Sequence, residues 1–70
     1  MYIIQEIQTT NGSSALLPAI TKQDRHEAES SWHSIMASAA ISNIQVHTVL
    51  MYDEHGNIEL RGYYEHNSEE

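Results

Sequence analysis

Apolar Tyr2, Ile3, Ile4 and Ile7 are mixed with polar residues in "YIIQEIQT", residues 2–9, a run rich in Tyr, Ile and Thr that predicts a strand. "TNGS" follows at 10–13, and Asn-Gly suits a two-residue hairpin turn because both central positions need positive φ. A second strand is expected over about 14–20, short or at a sheet edge, since Pro18 cannot donate a ladder hydrogen bond. The period then lengthens. Ala28, Trp32, Ile35, Met36 and Ala39 recur at helical spacing and predict a helix over about 25–41. Asp24 with Glu27 three residues later supplies a helix N-cap, Thr21 with Asp24 offers an alternative, and Asn43 is the expected C-terminal cap.

A period-2 pattern runs through "IQVHTVLMY" and "IELRGYYEH", predicting strands over about 44–52 and 58–66. Asp53-Glu54-His55-Gly56 between them matches a type I turn followed by a left-handed glycine. That turn sets an expected register of Tyr52 opposite Ile58, Leu50 opposite Leu60, Thr48 opposite Gly62 and Val46 opposite Tyr64. These residues form the face assigned to the helix, which leaves His47, Val49, Met51, Arg61 and Tyr63 pointing outward. The tail "NSEE", residues 67–70, is polar and expected to fray. The elements predict one α+β domain, 1–70, in the order β-β-α-β-β. Two hairpins form an antiparallel sheet, and one helix packs on one face.

Composition narrows the partners. Ten acidic residues face three basic ones, Lys22, Arg25 and Arg61, for a formal charge of −7. Phosphate-directed nucleic-acid binding needs clustered Lys and Arg, so no nucleic-acid partner is expected. The acidity reads first as a solvated surface and second as a surface suited to a basic partner. Without cysteine there is neither a disulfide nor a thiolate metal cluster. No apolar run reaches the roughly 20 residues that span a bilayer, and Glu6 in an N-terminus without a basic start argues against a signal peptide. The expected location is the cytoplasm of a bacterial host, with virion association as an extension, and no membrane contact.

Five histidines are the candidate chemistry. His26, Glu29 and His33, spaced by three and four, fall on one side of the predicted helix and form the one metal-ligand pattern available. The pattern is not His-Glu-x-x-His, since Ser30 stands at the second histidine position, and the trio lies to the flank of the Trp32 stripe. Surface histidines account for it more simply. His47 beside Tyr63 on the outer face allows acid–base chemistry but reads first as a cross-strand pair. His55 lies in a turn and His66 near the terminus, with no evident role. No nucleophile elbow, phosphate-binding glycine loop or paired-carboxylate cleft is present, so the expectation is no enzyme, no catalytic residue, no metal and no cofactor.

Charge is also absent where it would be expected. No Asp, Glu, Lys or Arg occurs from Ser30 through Tyr52. The outward helix positions Ser30, His33, Ser34, Ala37 and Ser38 are small or neutral, whereas exposed helix faces commonly carry Lys and Glu. With His47, Val49, Met51 and Tyr63 they form the expected contact surface for a partner or a second copy. "EIQTTNG" and "DRHEAESSWHSIMASAAISNIQVHTVLMYDEHGNIELRGYYEH" resemble small proteins of Gram-positive gut bacteria and their phages or prophages. The likeness lies in the "EIQT" strand, the acid-rich "EAE" helix start, the aromatic-His pair, the Ala-rich helix end, the "VH" strand and a closing Tyr-x-His matched by Tyr64 and His66. "MASAA" replaces a longer alanine run. The resemblance implies a phage-associated accessory protein and carries no functional residue onto this chain. Three functions follow as expectations. The first is a non-enzymatic accessory protein acting by protein–protein contact and self-association. The second is an acidic anti-defence inhibitor or nucleic-acid mimic bound to a host protein, and the third a small metal- or ligand-binding domain using His26, Glu29 and His33.

Overall fold

The computed structural model describes residues 1–66; the tail 67–70 lies outside the described residues. Strand β1 (Tyr2–Thr10) turns through Asn11-Gly12 into β2 (Ser13–Leu16), and β3 (Ile20–Lys22) follows. Helix α1 (Arg25–Ile41) leads to the hairpin of β4 (Val46–Asp53) and β5 (Ile58–Glu65). The strands form one antiparallel sheet in the order β2-β1-β4-β5, with β3 also paired to β1. The fold is α+β, a helix on a sheet, as the alternation of periods predicts. The expected strand 14–20 is two strands instead. Leu17-Pro18-Ala19 breaks the ladder, because proline has no amide hydrogen to offer it.

Local chemistry accounts for the turns and the helix start. Asn11 (φ 51°) and Gly12 (φ 82°) both take positive φ, as the two-residue turn requires. In the second turn Gly56 (φ 87°) donates its N–H to Asp53 O, and Asp53 N–H donates to Asn57 O, both at 3.0 Å. Asp24 caps the helix by accepting the Glu27 N–H at 3.0 Å. Ser42, not Asn43, is the C-cap, its N–H donating to Ala39 O.

Asp53 also accepts the His55 and Asn57 N–H groups at Oδ1 and the Asn57 amide at Oδ2. Its hydrogen bonds to the Asn57 side chain and then the Asn57 backbone hold its carboxyl below the ordinary value, with the His55 N–H contributing less. Because the folded-state value is depressed, the stabilisation is present above the unfolded value of about 3.9 and is lost as pH falls through the lower folded value. Asp53→Asn should therefore lower the urea midpoint at pH 7 and converge with the wild type near pH 2. A gap that stays constant across that range would refute the assignment.

Of the four pairs expected in the second hairpin only Tyr52–Ile58 forms; Leu50, Thr48 and Val46 each pair one residue farther along, with Arg61, Tyr63 and Glu65. Tyr52 pairs with Ile58 as the turn dictates, but a bulge between Met51 and Tyr52 inserts Glu59 on β5. Beyond it Met51 pairs with Leu60, Val49 with Gly62 and His47 with Tyr64. The bulge lets Leu60 join the core while Glu59 reaches Arg25 Nη1 at 2.5 Å.

The helix-facing side of β4 is the reverse of the one expected. His47, Val49 and Met51 are buried beneath α1, whereas Val46, Thr48, Leu50 and Tyr52 lie on the opposite face and are half-buried. Both sets in "VHTVLMY" are largely apolar, so alternation alone does not say which set turns inward. Contact with Ile4 decides it. Ile4 pairs with Met51, and Ile4, Ala28, Val49 and Met51 form the core, flanked by Tyr2, Trp32, Ile35, Met36 and Leu60.

Trp32 holds helix and sheet together. Its Nε1–H donates to Val49 O at 3.2 Å, and its ring lies over Gly62. A Cβ on Gly62 would sit 2.8 Å from Trp32 Cζ2 and 3.0 Å from Met36 Cε. The glycine is the space into which the helix seats.

Candidate functional site

Three features carry the molecule's chemistry: a buried Glu6–His47 pair, the histidine at the end of β5, and the sheet face that α1 leaves open. Glu6 pairs with Val49 across β1 and β4, which turns it toward α1. Its Oε2 accepts from His47 Nδ1 at 2.5 Å and from Gln8 Nε2 at 3.4 Å. Facing a carboxylate, Nδ1 carries the proton. The side chains are 12% and 4% exposed, so the pair belongs to the interior.

His47 Nε2 is buried without a hydrogen-bond partner. A carboxylate-oriented imidazole is the arrangement of a general base, but this one has its free nitrogen enclosed and cannot meet a solute. Hollows of about 190 and 230 Å³ lie nearby, each bordered by Gln45 and His66; His47 lines neither. Both fall below the usual range for small-molecule sites, about 300–1,000 Å³. The pair's evident work is to satisfy two polar groups inside the fold. It also corrects the expected outward partnership of His47 and Tyr63, since Tyr63 sits opposite Thr48 and is 65% exposed.

His66 has a structural role that its terminal position did not suggest. Its Nε2–H donates to Ala39 O at 2.7 Å, binding the last turn of α1 to the end of the sheet. Its ring stacks on Tyr64 at 5.8 Å and meets His47 edge-on at 6.4 Å. A helix-end carbonyl can accept a second donor beside its capping N–H, but the 27-residue separation hides this partner from sequence patterning.

Two of the three candidate metal ligands, His26, Glu29 and His33, have other partners. Glu29 accepts from Arg25 Nε at 3.1 Å, and His33 meets the Trp32 ring edge-on at 5.0 Å. Among the described residues no group of three or more His, Cys, Asp or Glu is arranged to hold a metal ion. Hydrogen bonds to Glu59, then Glu29 and Tyr2, raise the Arg25 guanidinium above its ordinary value, so it stays charged. It ties the helix start to β5.

Ser30, His33, Ser34, Ala37 and Ser38 are exposed on the outer side of α1. Of the residues expected on the outer sheet face Tyr63 is exposed there, whereas His47, Val49 and Met51 are covered and their neighbours on β4 take the open face. That face gathers Ile3 and Ile7 of β1, Leu16 of β2, Leu50 and Tyr52 of β4, and Ile58 and Tyr63 of β5. Leu16 is 72% and Ile58 61% exposed. In the paired register the interior of this face is neutral, with Gln5, Thr9 and Thr48 among the apolar side chains, and Arg61 and Glu65 stand at its β5 edge.

Among the described residues no helix is long and apolar enough to cross a membrane. Compared with family models, curated proteins and solved structures, the chain matches none.

Proposed function

We infer that the protein acts by protein–protein contact rather than catalysis, and that the open face of its sheet is the contact surface. One observation carries this reading: α1 covers only one side of a sheet whose other side is also apolar, with Ile3, Ile7, Leu16, Leu50, Tyr52, Ile58 and Tyr63 on it. Antiparallel sheets with one solvated face usually place polar residues there. The 32 residues of the five strands, at about 3.3 Å per residue and about 4.8 Å between strands, give the sheet a footprint of roughly 500 Å². Burying that area on both partners removes roughly 1,000 Å², the lower bound for a specific interface. A phage or prophage accessory role is the setting that the sequence resemblance implies.

The test is comparative affinity capture from extracts of the cell that makes the protein. Wild-type chain is set beside a Leu16→Lys, Ile58→Lys variant whose circular dichroism shows it folded. A partner retained by the wild type and lost by the variant is expected. The same proteins captured by both would exclude the open face as the contact surface.

A further inference from the structure

Strand β5 ends the sheet. Among the described residues nothing pairs with its outer edge. Such an edge is usually blunted by proline, inward charge or a bulge. Here the bulge lies at the Ile58 end, and Leu60–Glu65 runs on regularly without proline.

Backbone direction along this run follows from one hydrogen bond. His66 N–H donates to Gln45 O, so His66 faces β4. In an antiparallel ladder residues alternate, which turns the N–H and C=O of Leu60, Gly62 and Tyr64 toward β4 and those of Arg61, Tyr63 and Glu65 outward. These three residues carry the free edge, and their side chains all lie on the open face of the sheet.

We propose that two copies of the chain pair edge to edge through β5, antiparallel and centred on Tyr63. The proposal rests on the reading that this protein works by protein contact, and it names a second copy as one partner. In this register Tyr63 meets the partner's Tyr63, while Arg61 meets the partner's Glu65 and Glu65 the partner's Arg61. Each of these pairs exchanges two backbone hydrogen bonds, using the outward groups of all three residues.

Charge selects the register. Centring on Arg61 sets arginine against arginine, and centring on Glu65 sets glutamate against glutamate. Centring on Gly62 sets Glu65 against the partner's Glu59. Centring on Leu60 would set Arg61 against the partner's Glu59, but Glu59 lies in the bulge and is held by Arg25. Centring on Tyr63 places opposite charges face to face on the regular part of the edge, and the two-fold axis repeats the pair. On the helix side it also places Tyr64 opposite the partner's Gly62, where an aromatic ring covers the bare backbone. Both helices then lie on one side of a continuous sheet, and the two open faces join into one.

The experiment is sedimentation equilibrium of the full chain from micromolar to millimolar concentration, with Arg61→Glu, Glu65→Arg and the double exchange. Arg61 and Glu65 are exposed, and circular dichroism confirms that each variant is folded. The wild type is expected to dimerise. Each single reversal sets like charges opposite twice and should weaken the dimer about tenfold or more, and the double exchange should restore it. Slowed hydrogen exchange at the Arg61, Tyr63 and Glu65 amides in the dimer locates the contact on this edge. A chain that stays monomeric at millimolar concentration overturns the proposal, as does a dimer insensitive to either reversal or not restored by the double exchange. Leu16→Lys, on the far edge strand, leaves this dimer intact. A monomeric chain that still captures its partner through the open face therefore sinks the edge pairing alone. A dimer that captures nothing sinks only the open-face reading.

Discussion

Glu6→Leu should cost about 2–4 kcal/mol, much of what a 70-residue domain has to lose. Among the described residues the carboxylate is the only hydrogen-bond partner of a buried imidazole, since His47 Nε2 has none there. Removing it leaves both ring nitrogens dry and unsatisfied, and the penalty is the full desolvation of those groups rather than the net worth of one hydrogen bond. Glu6→Gln should cost less, because the amide oxygen still accepts the Nδ1 proton. The double variant Glu6→Leu, His47→Leu should recover most of the loss, since a buried polar pair exchanged for apolar side chains of similar volume is often neutral. Urea titrations of the three variants and the wild type measure the coupling directly. A single-variant loss under about 1 kcal/mol would mean that water reaches the pair.

Gly62→Val should cost about 2–3 kcal/mol, even though valine favours strands more than glycine does. The added Cβ falls 2.8 Å from Trp32 Cζ2, and Trp32 cannot simply withdraw, because its Nε1–H is held by Val49 O. Met36, with Cε at 3.0 Å and Sδ at 3.1 Å, can shift more readily, so the indole sets the cost. Loss of stability should come with a changed tryptophan emission, as the ring is pushed off the sheet. In a Trp32→Leu background the same substitution should cost distinctly less. An equal cost in both backgrounds would show that the strand, not the indole, rejects the side chain.

Both predictions concern contacts that link distant parts of the chain, and these were the least legible parts of the sequence. The Asn11-Gly12 and Gly56 turns, the Asp24 cap and the Ala28–Trp32–Ile35–Met36–Ala39 stripe are set by interactions within a few residues. They appear in the structure as the spacing predicts. Only the C-cap moved, by one residue to Ser42. The candidate site was legible in kind but misplaced in position. An apolar outer sheet face was expected, and Tyr63 lies on it. His47, Val49 and Met51 do not, because either alternate set of "VHTVLMY" could have turned inward and the neighbouring strand decided which did.

By itself, then, the sequence determined both hairpin turns, the helix and its inward stripe, because backbone preference and side-chain period act locally. The tertiary structure decided the rest. Ile4 and Glu6 on β1 drew Met51, Val49 and His47 beneath the helix, with the carboxylate satisfying the one polar side chain among the three. The bulge at Glu59 answered Arg25 on the helix and shifted β5 by one residue, which kept Gly62 on the helix side and Arg61 on the open face, as the pattern has them, although β4 presents the opposite set. Each of these contacts joins residues 30 to 47 positions apart. At that separation periodicity carries no information, and packing and burial of charge make the choice.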